Sequence, residues 1–392
     1  MSPANGYFKH LYIIGNGFDC YHGTQSSYKD FRRYLMKTDI NIVKMMDLYF
    51  GPKSLENTFN SSIAYYWSLE TEDFRKYMRI PLPHSTWANE HLWKDFEKSL
   101  SELSREKIFD ILDMMLPAQF ESDNHFRYAD YYAPIDNLVD FIQDCTVNMK
   151  YRFHRWINTL HYKKGFKKRM IQLDKKAVFL NFNYTLFLES EYNIPHEQIL
   201  YLHGNRLDKL GSLIVGHGEA YESNLQSWIH KNKNRRRYRQ NLKDRKGRYY
   251  ANDKLAYLAY FLDDETRGNW RNPIRYYAAE HARECLEQYY ITNFKNTGEI
   301  IRYHEDFFSS LKEINEITVL GHSLGEVDIP YINRIIQSSA NPSAIKWNFS
   351  YYSESDKERI KHFSHKFSIA EELIRLFAFS EIIENAPIHQ SN

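Results

Sequence analysis

Cysteine is scarce and unpatterned: Cys20, Cys145 and Cys285 stand far apart, with no Cys-x-x-Cys pair. Three isolated thiols exclude a disulfide framework and point to a reducing, cytoplasmic setting. No apolar run approaches the ~18 residues of a membrane span, so neither a transmembrane helix nor a membrane partner is expected. Residues Met1–Lys9 lack the apolar core of a secretory leader, and Leu11–Ile14 runs straight into Gly15, so no leader is expected either. There is no His-Glu-x-x-His metal motif and no His-Gly-Gly-Gly oxyanion loop. Net charge is small as well: 52 Lys+Arg against 50 Asp+Glu leave +2.

What is present is ordinary for a folded chain. The 392 residues are 43% hydrophobic and 26% charged, which argues against wholesale disorder. The 31 Tyr, 25 Phe and 7 Trp supply core first and ligand sites second. The near-neutral total hides an asymmetry: residues 231–249 carry ten Lys/Arg and one acid, leaving about −7 for the rest. That many cations cannot be buried unpaired, so the run reads as a surface insertion.

Short apolar runs at Leu11–Ile14, Ala177–Phe182, Ile199–Leu202, Leu213–Val215 and Ile317–Leu320 each end on Gly, His, Asn or a similar polar residue. A further run, Ile345–Tyr352, alternates with Trp347, Phe349 and Tyr351 on one face. Continuous apolar strands with polar carboxyl ends predict a parallel sheet covered on both faces, with ligands beyond the strand ends. Helical spacing marks Trp93/Phe96/Leu100/Leu103, the series Leu138 to Leu160, and Ile300 to Ile314. The expected organisation is one α/β unit over 1–392, with core segments 5–35, 175–220 and 300–355. Residues 36–174 form a helical insertion, 221–299 a basic insertion and 356–392 a C-terminal helical segment.

Five segments carry the candidate chemistry. In LYIIGNGFDCYHG (11–23) a strand ends at Gly15-Asn16-Gly17, where two glycines allow close backbone approach and the following helix offers N–H groups to a phosphate. The pattern Gly15, Gly17, Cys20 is GxGxxC, short of the full dinucleotide fingerprint, and a ligand-free tight turn is the alternative. Phe18, Asp19 and His22 follow; Asp19 and His22 are ligand contacts or helix caps. In FLNFNYTLFLE (179–189) Asn181, Asn183, Tyr184 and Thr185 close a strand, where an amide can hold a sugar hydroxyl or orient a water. In YLHGN (201–205) His203 beside Gly204 suits general-base work near neutral pH. VGHG brings Gly216 and His217, and LGHSLGEVD brings Gly321, His322, Ser323 and Asp328. The formal GxSxG at 321–325 would be a hydrolase elbow, but Pro330 falls where its helix should run. Zinc on His22, His203, His217 and His322 would need convergence of distant residues, and no metal is expected. In WKDFE (93–97), Trp93 reads as core and Glu97 as a solvated acid.

Taken in order, GNGFDxxHG, NFNYTxFLE, YLHG, VGHG and ITVLGHSLGEVDIPYI resemble the bacteriophage abortive infection AbiH family, from about residue 9 to 363 and including WKDFE and the aromatic strand near Trp347. The series also resembles, more remotely, sirtuin-like defence proteins. That resemblance implies a Rossmann-like sheet binding NAD as substrate or ligand. It assigns the dinucleotide turn to Gly15 and Gly17, the ribose or attacking water to Asn183, the ribose hydroxyl to His203, and the adenine-ribose side to Ser323 and Asp328. Asn16 and Thr185 depart from it, and the missing Cys-x-x-Cys argues against a zinc-ribbon deacylase.

The expected function is therefore an antiviral effector that hydrolyses the nicotinamide–ribose bond of NAD, restrained by homo-oligomerisation, a regulatory partner or a phage-derived trigger. Two alternatives stand beside it. One is a nucleic-acid sensor or nuclease using Arg235, Arg236, Arg237, Arg239, Lys243, Arg245, Lys246 and Arg248 with interleaved tyrosines. The other is a nucleotide-binding regulator without catalysis.

Overall fold

The computed structural model describes residues 8–50, 93, 95–103, 108, 128–162, 170–220, 223, 227, 230 and 273–379. The basic run 231–249 lies outside them. The chain divides into two compact units: residues 1–31, 150–215 and 296–392, and residues 32–149 and 216–295.

The first unit is built on six parallel strands: β1 (His10–Ile14), β2 (Val178–Asn181), β3 (Ile199–Tyr201), β4 (Glu316–Leu320), β5 (Lys346–Tyr351) and β6 (Ile374–Ala378). Their order is β3-β2-β1-β4-β5-β6, the doubly wound order of Rossmann-like folds. The expected parallel α/β sheet is thus the observed one. Registers Leu11↔Val178, Ile13↔Leu180, Leu11↔Ile317 and Ile13↔Val319 align apolar residues row by row. Both faces are covered, which explains runs without alternation. Leu11, Ile13, Val178, Leu180, Ile317, Val319, Trp347 and Phe349 pack with Phe308, Leu311, Ile332, Ile335, Ile360 and Phe363 on one side. Tyr12, Ile14, Phe179, Leu320 and Tyr201 pack with Phe18, Phe187, Leu188, Tyr192 and Ile194 on the other.

Two strand assignments differ from the sequence reading. Leu213 and Val215 are buried, but the segment is not a strand. Ile214 donates its N–H to the His203 carbonyl and accepts at its own carbonyl from the Tyr184 hydroxyl, which fixes the segment without a ladder. Conversely, β6 lies inside the stretch read as helical. The helix Glu354–Lys366 ends there, and Ile374–Ala378 pairs with β5 at the sheet edge. Arg375 and Leu376 are both exposed, so β6 lacks the alternation that marks a half-buried strand. The Ile300–Ile314 periodicity also spans two helices, Thr297–Tyr303 and Glu305–Ser310, broken at His304.

In the second unit the described elements are helices, among them Ile40–Tyr49, Phe96–Leu100, Tyr128–Cys145 and Pro273–Thr292. Trp93 is core, as its spacing predicts, stacked on Phe96 at 5.2 Å. Glu97 is not simply solvated: it pairs at 3.1 Å with Lys295, whose side chain is fully buried. Among the described residues no helix is long and apolar enough to cross a membrane.

Candidate functional site

In a parallel sheet every carboxyl end opens on one edge, and there the chain sets Gly15–Asp19 after β1, Asn181–Thr185 at and after β2, His203 after β3 and Gly321–Asp328 after β4. Strand order reverses between β1 and β4, where doubly wound folds usually leave a crevice for a dinucleotide. Here the protein's own backbone occupies that place. Gly15 N–H donates to the Leu320 carbonyl (2.9 Å) and Gly17 N–H to the Gly321 carbonyl (2.8 Å). A Cβ on Gly15 would stand 2.4 Å from His322 Cα, and one on Gly321 2.2 Å from Phe18 N, with Gly321 at φ +64°. The glycines allow close approach, as their type implies, but of one turn to the other. Their amides are committed to β4, so these two groups do not fit the pyrophosphate role.

The helix Asn16–Tyr21 is too short to act as a phosphate-binding dipole, and its side chains serve other ends. Phe18 is core, against Phe187 and Tyr192. Asn16 is exposed and accepts from the Ser26 hydroxyl at 2.6 Å. His22 is the C-terminal cap of this helix, one of its two expected roles, and its ring points inward. Its Nδ1 lies 2.7 Å from the Phe18 carbonyl, which can only accept, so the proton sits on Nδ1; Nε2 then accepts from the Tyr192 hydroxyl at 2.7 Å. Tyr192 in turn accepts from Ile171 N–H. His22 is a core brace.

Asp19 does not cap the helix. It is 1% exposed and faces the β2 end. Asn183 Nδ2 donates to Asp19 Oδ1 (2.9 Å) and to the Gly15 carbonyl (3.1 Å). The Thr185 hydroxyl donates to Asp19 Oδ2 at 2.5 Å. The Asn183 main-chain N–H donates to Asn181 Oδ1 at 3.0 Å. Burial pushes the Asp19 carboxyl up to about 6, opposed by the Thr185 and Asn183 hydrogen bonds. Among the described residues no cation pairs with this carboxylate, which at neutral pH is held by an amide and a hydroxyl.

His203 is 3% exposed, with its ring edge-on to Phe182 (5.4 Å) and near Tyr331 (5.9 Å). Gly204 follows at φ +84°, the left-handed turn its position needs. Tyr184 donates its hydroxyl to the Ile214 carbonyl and packs on Phe153, a structural role. Across the Phe182 ring, His322 lies at 4.3 Å. Its Nδ1 accepts from Leu324 N–H (3.0 Å), so its proton is on Nε2, 3.3 Å from Asp328 Oδ2. Both ring nitrogens are engaged away from the exposed Ser323, which removes the serine-hydrolase elbow. Pro330 opens the helix Ile329–Ser338 instead of interrupting one.

The first unit thus gathers Asp19, Asn181, Asn183, His203, His322 and Asp328 at one edge. Gly216 and His217 belong to the second unit. There His217 bridges in strand fashion to Asn293 and Lys295, its ring among Tyr289, Tyr290 and Phe294. Burial lowers its imidazole to about 4, so it is neutral. Among the described residues no three His, Cys, Asp or Glu side chains come together as a metal cluster. The sequence reading named Thr185 without giving it a role; its place two residues beyond Asn183 was the available signal. Ser350, whose hydroxyl accepts from Gly321 N–H at 2.9 Å, had no such signal.

A doubly wound sheet with a buried carboxyl, amides and imidazoles at its carboxyl edge defines a Rossmann-like α/β protein with a polar strand-end site. The family model described as bacteriophage abortive infection AbiH matches residues 11–351, and the chain belongs to that family. No curated protein and no solved structure matches it.

Proposed function

We propose that this abortive-infection protein is a cytoplasmic effector that binds NAD at the sheet's carboxyl edge and hydrolyses its nicotinamide–ribose bond, as the sirtuin-like resemblance implies. The observation that carries the reading is the Asp19–Asn183 pair at the tips of neighbouring strands in a Rossmann-ordered sheet, with His203 at the next tip. Cleavage of that bond builds positive charge on the sugar. Asn183 holds a ribose hydroxyl or the water, and His203 accepts a hydroxyl proton. Asp19, ionised above pH ~6, adds a negative potential in a low-dielectric setting that favours the cationic sugar. With the glycine amides committed to β4, the ligand lies over the β1–β2–β3 tips, outside the β1/β4 junction.

Asn183 and His203 are 5% and 3% exposed, so activation includes opening the site. That requirement suits an effector that waits for a phage-derived trigger or a regulatory partner. The test is purified protein incubated with NAD, with and without extract from phage-infected cells, reading free nicotinamide by chromatography. Release is expected on triggering and falls about 100-fold or more in Asn183→Ala and in His203→Ala. No nicotinamide under any condition, or undiminished release in both variants, overturns the reading.

A further inference from the structure

We infer that Asp19 is a positioning residue for Asn183: it locks the amide so that only the amide oxygen is offered to a ligand, and the group the site reads is therefore a hydrogen-bond donor, a hydroxyl or a water. The inference deepens the NAD reading and rests on it for the identity of the ligand, while the lock itself does not depend on turnover.

The two ends of an asparagine amide are told apart by their partners. Here the partners decide without ambiguity. The Gly15 carbonyl can only accept, and so can an ionised carboxylate. The end of Asn183 facing both at 3.1 and 2.9 Å must be the nitrogen, because a flipped amide would set oxygen against two oxygens. Both N–H bonds are thereby committed inside the protein. Among the described residues the amide oxygen accepts no hydrogen bond. The clamp is closed from the other side by Thr185, whose only hydroxyl proton goes to the second carboxylate oxygen. Two donors from the β2 end thus saturate one acceptor from the β1 turn, and both suit the ionised form.

The clamp is therefore expected to respond to protonation of Asp19. A proton on Asp19 Oδ2 makes the Thr185 hydroxyl turn and accept, and it leaves Asn183 Nδ2 a weaker, uncharged acceptor at Oδ1, so the hold on the amide loosens. The other titratable groups whose ionisation Asp19 opposes are Tyr162, Tyr201 and Cys20; burial raises all three, so they stay neutral near pH 6. His22, the cap of the same short helix, has its ring nitrogens against the Phe18 carbonyl and the Tyr192 hydroxyl.

The test uses the full chain labelled with 15N-asparagine, the Asn183 side-chain NH2 signals being assigned by their absence in Asn183→Ser. In wild type those signals are expected to move with a midpoint near pH 6. Asp19→Asn, nearly identical in shape, removes the movement. Thr185→Val, which deletes only the second donor, raises the midpoint by about one pH unit. Signals that do not titrate in wild type, or that titrate unchanged in Asp19→Asn, overturn the positioning role. Titration as expected, in a protein that never releases nicotinamide, keeps the lock and sinks the NAD reading alone. Release of nicotinamide from a protein whose Asn183 signals stay flat does the reverse.

Discussion

At the scale of single residues, the same chemistry serves two ends at the sheet edge, and neighbours decide which. Gly15, Gly17 and Gly321 stand where a ligand turn is expected, yet their lack of a side chain lets two backbones meet. Gly321→Ala puts a methyl 2.2 Å from a main-chain nitrogen at a positive φ. It is expected to cost ~3 kcal/mol or more, read as a drop in denaturation midpoint, because backbone cannot yield as a side chain can. Asp19 makes a second measurable statement. Its carboxyl rises from 3.8 to about 6 on folding, so the folded chain holds a proton the unfolded chain releases. The stability this contributes is complete below pH ~4 and is lost as pH rises through about 6, by roughly 3 kcal/mol. Asp19→Asn should flatten that part of the pH profile, as seen by comparing urea midpoints at pH 4.5 and 7. Asn183 and His203 were visible in the sequence as polar residues at strand ends. That Asn183 is tied to Asp19 was not, since 164 residues separate them.

At the scale of elements, local signals worked where one segment carries its own instructions. The helix Glu354–Lys366 opens with a reciprocal capping box between Ser353 and Asp356. Ser353→Ala is expected to cost ~1 kcal/mol by thermal melting, since it removes the hydroxyl half of that box and its bond to the Asp356 carboxylate. Local signals failed where tertiary partners decide. Leu213–Val215 is as apolar as a strand, but among the described residues no strand offers it a ladder. β6 reads poorly, but β5 offers one, through Trp347↔Ile374 to Tyr351↔Ala378. Glu97 reads as a surface acid until Lys295 meets it from 198 residues away. Glu97→Ala takes the carboxylate from a fully buried ammonium, and a loss of about 3 kcal/mol in chemical denaturation is expected.

At the scale of the whole molecule, the sheet is assembled almost entirely from distant pieces. β1 pairs with β2 some 170 residues on and with β4 some 300 residues on, whereas β2 and β3 are near neighbours. Such pairings form late and slowly, because chain entropy is lost before their contacts form. Ending the chain at Lys366 removes β6 and bares the β5 edge. The expected outcome is lower thermal stability with concentration-dependent association by light scattering, since an uncovered strand invites another chain. The motif order that places the chain in the AbiH family is itself a list of strand ends, which is why segments scattered over 11–351 gather at one edge. By itself the sequence determined the fold class, most strands and which polar residues end them, because apolar runs and the residues that close them are local properties. Only the tertiary structure decided what those residues do: which amide faces which carboxylate, which histidine has both nitrogens engaged, and that the β1 and β4 turns fill the junction between them. Those outcomes depend on contacts across hundreds of residues, and hydrogen-bond partners are set by position in space.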